Sequence, residues 1–247
     1  MPIAAITYNA TIGGGFGHVG AWLDERGFDL HLIDRDRPIS AADLDTAARA
    51  DLLVMLGSKW SLARPMTRPT DDAHATASIH AEHGLAQTRL ASDRPTLGIC
   101  FGGQMLCSAL GGRVSALPAS FTGWARPRTE VSELDGEWFY LHEDHFTLPS
   151  DVELLADAEH ATVGFRRGRA WGLQFHPEAT ADLLEVWFDH LGVDPALSAP
   201  HVEHVRRREA ANRAEAYGLL DTIWAQMAAS DAVVAGADAQ EFLQVPG

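Results

Sequence analysis

An open, mostly parallel α/β sheet flanked by helices is the fold this sequence predicts, with a small antiparallel β insertion and a C-terminal helical extension. Three observations carry that expectation. From Ile3 to Leu110, short apolar runs alternate with helix-length stretches, the pattern of βα units around a parallel sheet. From Val114 to Arg169 the runs shorten, alternate in polarity and are broken by turn residues, the pattern of antiparallel strands. A chain of 247 residues, 46% hydrophobic and 21% charged, has the size and balance of a globular α/β unit. Such a chain buries roughly 70–75% of its unfolded surface.

The elements follow in order. Ile3 to Tyr8 reads as a buried strand. A glycine-rich loop, Gly13-Gly14-Gly15-Phe16-Gly17-His18, opens a helix from Val19 to Arg26, and Phe28 to Ile33 forms a second strand ending at Asp34. Gly15-x-Gly17-x-x-Gly20 with Asp34 downstream matches a dinucleotide fingerprint in letters, but the glycines start several residues after the strand ends. The plainer reading is a loop that opens a helix. Ala41 to Arg49 is helical, Asp51 to Leu56 is an apolar strand ending at Gly57-Ser58, and 61–73 reads as a loop. Ala75 to Leu90 is a helix that stops before the turn Asp93-Arg94-Pro95. The stretch from Pro95 to Gln104 reads as a short apolar strand, a tight turn and the start of a helix that continues from Gly103 to Leu110, and Gly111-Gly112 closes that helix. In the insertion, Arg128–Ser132, Glu137–Leu141, Val152–Leu155 and Thr162–Arg166 are the expected strands. Ala170 to Phe175 is a last buried strand, and Ala181 to Leu191 is an amphipathic helix. Pro195 to Pro200 reads as a linker before a long helix, Val202 to Met227, whose Val202, Val205, Tyr217, Leu220, Trp224 and Met227 mark a docking face. The expected division is 1–192 for the main domain, 193–229 for the helical extension and 230–247 for a mobile tail.

The net charge of −15 argues against a nucleic-acid ligand, because phosphate backbones are held by clustered Lys and Arg. No signal-peptide pattern or membrane-length apolar run is evident, so a cytoplasmic location is expected and no membrane partner. The two cysteines, Cys100 and Cys107, suggest no disulfide framework. In a reducing compartment a free thiol is available for chemistry.

Cys100 stands where that chemistry would occur. It sits at the apex of a strand–turn–helix, with Gly98 and Gly102 two residues to either side. Such an elbow lifts the apex side chain out of the sheet and brings two backbones so close that a Cβ on either glycine would clash. The helix N-terminus favours the thiolate. The Phe101 N–H would face the oxygen of an attacked acyl group, and the N–H of Ser58 or Gly57, after the preceding strand, would supply the second donor of an oxyanion hole. His176, after the last buried strand, is the natural base, and Glu178, on the same side of an extended segment, can hold its tautomer. All these residues follow strand ends, so one edge of the sheet can gather them. Cys107 has no such context and reads as core.

Gly98-Ile-Cys100-Phe-Gly102-Gly-Gln104 with Gln174-Phe-His176-Pro-Glu178 resembles the class I (triad) glutamine amidotransferase family, over at least 50–190. The resemblance implies a flavodoxin-like sheet and a stand-alone amidotransferase-like domain that needs no cofactor and no metal. It implies that Cys100 attacks the side-chain amide of glutamine, that ammonia leaves and that a glutamyl thioester is hydrolysed. Cys100 is then the nucleophile, His176 the base and acid, and Glu178 its orienter. Gln104 would contact the substrate, and Asp144, in the loop His142-Glu143-Asp144-His145-Phe146, would hold its amino group. The chain departs from the family where Gly57-Ser58-Lys59 replaces Gly-Gly-Pro, where Phe121-Thr122-Gly123-Trp124 lacks a glutamate, and where Glu143 replaces a glycine. His142 and His145 lack a third ligand at metal-site spacing.

Four functions compete on these residues. One is a glutaminase subunit feeding ammonia to a separate synthetase, since no synthetase domain or P-loop is seen. A second is a self-sufficient hydrolase or transpeptidase of γ-glutamyl amides or peptides. A third is a non-catalytic binding module, against which the full triad weighs. The fourth is a nucleotide-binding oxidoreductase, resting on Gly15, Gly17, Gly20 and Asp34 alone.

Overall fold

The computed structural model describes residues 1–13, 15–63 and 73–241, with side chains through residue 229. Its central sheet has the order β2-β1-β3-β4-β10-β9-β8-β6. The parallel part joins β2 (Asp29–Asp34), β1 (Ile3–Tyr8), β3 (Leu52–Met55), β4 (Thr96–Ile99) and β10 (Ala170–Leu173). Helices α1 (Gly17–Glu25), α2 (Ala41–Arg49), α3 (Ala73–Ala91) and α4 (Phe101–Ala109) cover its faces, and α5 (Ala181–His190) and α6 (Pro195–Glu241) complete the chain. The open parallel sheet with helices on both faces is the expected class.

Local chemistry sets the element ends. Ser40 and Asp43 form a reciprocal capping box at the start of α2, and the Thr180 side chain accepts from Leu183 N–H at the start of α5. Strands β3 and β4 are buried at every residue, as strands covered on both faces must be. Alternate residues feed two cores. Ile6, Val54, Leu97 and Leu173 pack with Trp22, Leu23 and, from α6, Leu219, Leu220, Ile223 and Met227. Ala5, Leu53 and Met55 face the other way, onto Leu85, Phe101, Met105 and Leu106.

The insertion divides in two. Strands β9 (Thr162–Arg167), β8 (Glu153–Asp157) and β6 (Arg128–Thr129) prolong the main sheet beyond β10, each antiparallel to the strand before it in the sheet. Strands β5 (Arg113–Ala125) and β7 (Trp138–Thr147) pair only with each other, as a separate ribbon. Two expectations are corrected. The segment His142–Phe146, read as a loop, lies inside β7. His142, Asp144 and Phe146 are buried while Glu143 is exposed, a strand alternation disguised by polar residues on the buried face. The expected linker at Pro195–Pro200 is already helix. Asp194 Oδ1 caps it by accepting from Ala196 N–H, and Pro195 takes the first helical position, where its missing N–H costs nothing. The tail expected from residue 230 falls partly in α6, whose helix runs to Glu241, and 242–247 lie outside the described residues. So do residues 64–72 of the expected 61–73 loop and Gly14 of the glycine loop.

Candidate active site

The elbow after β4 is built by close backbone contacts. A Cβ on Gly98 would lie 2.4 Å from Gly102 O, and one on Gly102 would lie 1.9 Å from Met55 O. No side chain fits at either place. Cys100 between them has φ 52° and ψ −109°, a left-handed backbone that a non-glycine residue holds only under constraint. Its N–H is held by Leu173 O at 2.7 Å and its carbonyl by Gln104 N–H at 3.0 Å. The side chain is thus presented at the N-terminus of α4, 7% exposed, with Sγ 3.7 Å from Leu141 O on β7.

β10 hands the chain to the second half of the site. His176 N–H donates to Phe139 O of β7 at 2.8 Å, which fixes where the imidazole enters. His176 Nδ1 lies 2.8 Å from Glu178 Oε1, and both side chains are buried. Nε2 is buried with no hydrogen-bond partner of standard geometry. A Cβ on Gly57 would lie 3.2 Å from His176 Cε1 and 3.8 Å from Cys100 Cβ, so this glycine sits directly against both residues. Burial alone would lower the imidazole pKa. The Glu178 carboxylate and the Cys100 sulfur outweigh burial and raise it to about 10. The imidazolium form of His176 is therefore favoured at neutral pH. Cys107 is the opposite case: it is fully buried, and burial pushes its thiol up to about 12.

A cavity of about 410 Å³ opens over this edge. Cys100, Phe101, Gln104, Gly57, Ser58, Asp144, His176 and Glu178 all line it, so every site residue expected from sequence reaches one pocket. Gln104 and Asp144 are also tied into its wall. Gln104 Nε2 donates to Asp144 O at 3.2 Å and to Gln174 Oε1 at 3.3 Å. The Asp144 carboxylate accepts from Ser61 Oγ at 2.5 Å and from Ala63 N–H at 3.3 Å. His142, missed in the sequence as a wall residue, binds Asp144 O through Nδ1 at 2.8 Å, and burial pushes its pKa down to about 4, so it is neutral. Among the described residues no group of three or more His, Cys, Asp and Glu is placed to hold a metal ion.

The glycine-rich loop belongs to this site rather than to a nucleotide. Gly17, at φ 50°, lies so close to the Glu178 segment that a Cβ would stand 1.8 Å from Glu178 O, and His18 N–H donates to the same carbonyl. The Asp34 carboxylate is spent on the N–H groups of Ala10 and Asp36. The loops after β1 and β3 are also laced together. Asn9 links Asp36 to Ser58 Oγ, and Lys59 Nζ reaches Asp36 and Thr11. Burial would raise the Asp36 pKa, but Lys59, Thr11 and Asn9 outweigh it and hold the carboxyl well below the usual range.

The sequence profile described as "Glutamine amidotransferase class-I" matches residues 69–187, a span that contains Cys100, Gln104, Asp144 and His176-Pro177-Glu178. Over that span, a little under half of its length, the chain is similar to the class I glutamine amidotransferase family. Among curated relatives of this amidotransferase domain, it is 32% identical over 137 residues to imidazole glycerol phosphate synthase subunit HisH from Synechococcus sp. (strain CC9605). That match covers 42% of this chain and 64% of HisH. A GMP synthase [glutamine-hydrolyzing] from Thermus thermophilus is 32% identical over 139 residues, covering 50% of this chain and 28% of the synthase. The chain thus spans less than two thirds of either relative. Among solved structures, a glutamine amidotransferase from Thermotoga maritima superposes with a TM-score of 0.71 at 22% identity, covering 90% of this chain and 97% of that one. A glutamine amido transferase from Methylobacillus flagellatus gives 0.68 at 22%, covering 93% and 94%. At that identity these two structures show the shared fold. No helix among the described residues is long and apolar enough to cross a membrane.

Proposed function

We propose that this amidotransferase domain hydrolyses the side-chain amide of glutamine and delivers ammonia to a separate synthetase partner. The Cys100 thiolate attacks the amide carbon, and the tetrahedral oxyanion is received by the N–H of Phe101 and those of Gly57 and Ser58. The His176 imidazolium protonates the departing nitrogen, and ammonia leaves a glutamyl thioester on Cys100. Neutral His176 then draws a proton from water, which attacks the thioester and releases glutamate. Glu178 holds Nδ1 throughout. Gln104 and Asp144, which line the same cavity, would receive the amino-acid end of the substrate. The observation that carries this reading is the strained Cys100 elbow facing the His176–Glu178 pair in one cavity. The family relatives, a HisH and a glutamine-hydrolysing GMP synthase, support the glutamine substrate and the partner.

A second reading has its own observation. Ile12, Phe16, Leu183, Trp187, Leu191 and Val193 add apolar surface to the cavity lining, and its volume of about 410 Å³ offers room for a leaving group larger than ammonia. A γ-glutamyl amide or peptide would place its amine there and follow the same steps to the thioester. Purified protein separates the two. Ammonia release from glutamine that rises on adding the synthetase supports the first reading, and turnover of γ-glutamyl amides by the protein alone supports the second. Under either, a chloroketone analogue of glutamine labels the wild type and Cys107→Ala but not Cys100→Ala. Labelling of Cys100→Ala at the wild-type rate would refute the assignment of the nucleophile.

A further inference from the structure

Arg35 follows β2 and is fully buried, yet it lies outside the cavity wall. It is paired with Glu82 of α3, also fully buried: Nε and Nη2 each lie 2.7 Å from a different carboxylate oxygen. The rest of the guanidinium is aimed at the loop after β3. Nη2 donates to Leu56 O at 3.0 Å and Nη1 to Gly57 O at 2.9 Å. The cation also lies 5.1 Å from the Phe101 ring centre. Its own carbonyl is pinned from α3, by His74 Nε2 at 2.8 Å and Ser78 Oγ at 3.3 Å. A guanidinium is a planar fork that can hold a carboxylate and two carbonyls together, which an ammonium cannot.

In a trans peptide the N–H points opposite to the C=O. With the carbonyls of Leu56 and Gly57 drawn onto Arg35, the N–H groups of Gly57 and Ser58 point away from it. Gly57 and Ser58 line the cavity and Arg35 does not, and no backbone N–H of Gly57 or Ser58 finds a partner among the described residues. We propose that Arg35 is a positioning residue for the oxyanion hole: its guanidinium, locked by Glu82, fixes the Leu56–Gly57–Ser58 peptides so that their free N–H groups face the carbonyl attacked by Cys100. This rests on the assignment of Cys100 as an acyl-transfer nucleophile. It extends that assignment, because the sequence places Arg35 far from every catalytic motif. It also accounts for a buried charge pair, which by itself is weak reason for stability.

The test compares two reactions of the same thiolate. p-Nitrophenyl acetate acylates Cys100 through a tetrahedral oxyanion and expels p-nitrophenolate. Iodoacetamide alkylates the sulfur by displacing iodide, and no oxyanion forms. In Arg35→Met and Arg35→Lys, acylation is expected to fall by about 10²–10³-fold, the range for losing an oxyanion donor, while alkylation stays within about 2-fold. Arg35→Lys keeps a cation opposite Glu82, so it remains informative where Arg35→Met does not fold. With glutamine as substrate, kcat falls and KM stays near the wild-type value. Equal loss of acylation and alkylation, or loss of neither, would overturn the role of Arg35. Neither probe requires recognition of glutamine. A wild type that is acylated at Cys100 but does not hydrolyse glutamine therefore counts against the proposed substrate and leaves the Arg35 comparison readable.

Discussion

The His176–Glu178 pair sets what the site can do at each pH. His176 is raised from 6.5 to about 10, against the pull of burial, by the Glu178 carboxylate and the Cys100 sulfur. Between those two values the folded protein keeps a proton on His176 that the unfolded chain has released. The stability contributed by the pair is therefore complete below about pH 6.5 and is lost as pH rises towards 10. Glu178→Gln removes the charge and can turn its amide N–H toward Nδ1, so the His176 pKa should fall and the alkaline loss of stability should flatten. Thermal melts of both proteins across pH 6.5–10 check this: the wild-type Tm should decline more steeply than that of the variant. Parallel slopes would contradict it. The same variant should lose kcat by about 10⁴-fold, since an imidazole in the wrong tautomer cannot serve the sulfur.

At the scale of elements, α6 is a second wall of the core rather than an appendage. Leu219, Leu220, Ile223 and Met227 join the cluster under β1, β3 and β4, and Trp224 meets Phe28 edge-on at 5.4 Å. Asp221 Oδ1 accepts from Trp22 Nε1 at 3.0 Å and also pairs with Arg26. Ile223→Ala should destabilise the fold by about 2–4 kcal/mol through the cavity it leaves. Arg207→Ala, whose exposed side chain meets Glu203 one turn away, should change stability by less than about 0.5 kcal/mol. Calorimetry of the two variants checks the contrast, and an equal effect would deny the docking. The docking face was legible in the spacing of Tyr217, Leu220, Trp224 and Met227, because helix periodicity is a local property. The elbow was legible for the same reason, since Gly98, Cys100 and Gly102 meet within one turn. The second half of strand β7, from His142, was not, because His142 and Asp144 are buried by their site contacts rather than by hydrophobicity. Arg35 was not either: its partners Glu82, Leu56 and Gly57 come from two other elements, and nothing local marks a buried cation.

Over the whole molecule, the parallel sheet carries a fully buried arginine at each end of its strands, and the two should fail differently. Arg35 sits at the carboxyl edge, where Gly57, Cys100 and His176 gather. Arg89, from α3, sits at the opposite edge, where β3 and β4 begin. Its guanidinium donates to Ala48 O at 3.2 Å, Ala50 O at 2.6 Å, Pro95 O and Thr96 Oγ1, with no carboxylate bound to it among the described residues. Burial, then the neighbouring Arg94 and Arg169, lower its pKa to about 9, so it is still a cation at neutral pH and is held by carbonyl and hydroxyl dipoles. Arg89→Met removes the desolvated charge but strands those carbonyls, at a cost of about 1–3 kcal/mol for each buried group left unpaired. The expected result is a lower Tm with kcat and KM for glutamine unchanged at a temperature where the variant is folded, because the strands separate this edge from Cys100. Arg35→Met should lose turnover at the same temperature while folded. Melting curves and steady-state kinetics on the pair decide it. Loss of turnover in folded Arg89→Met would mean that the site depends on the sheet as a whole, and that its carboxyl edge does not hold the catalytic geometry independently of the opposite one.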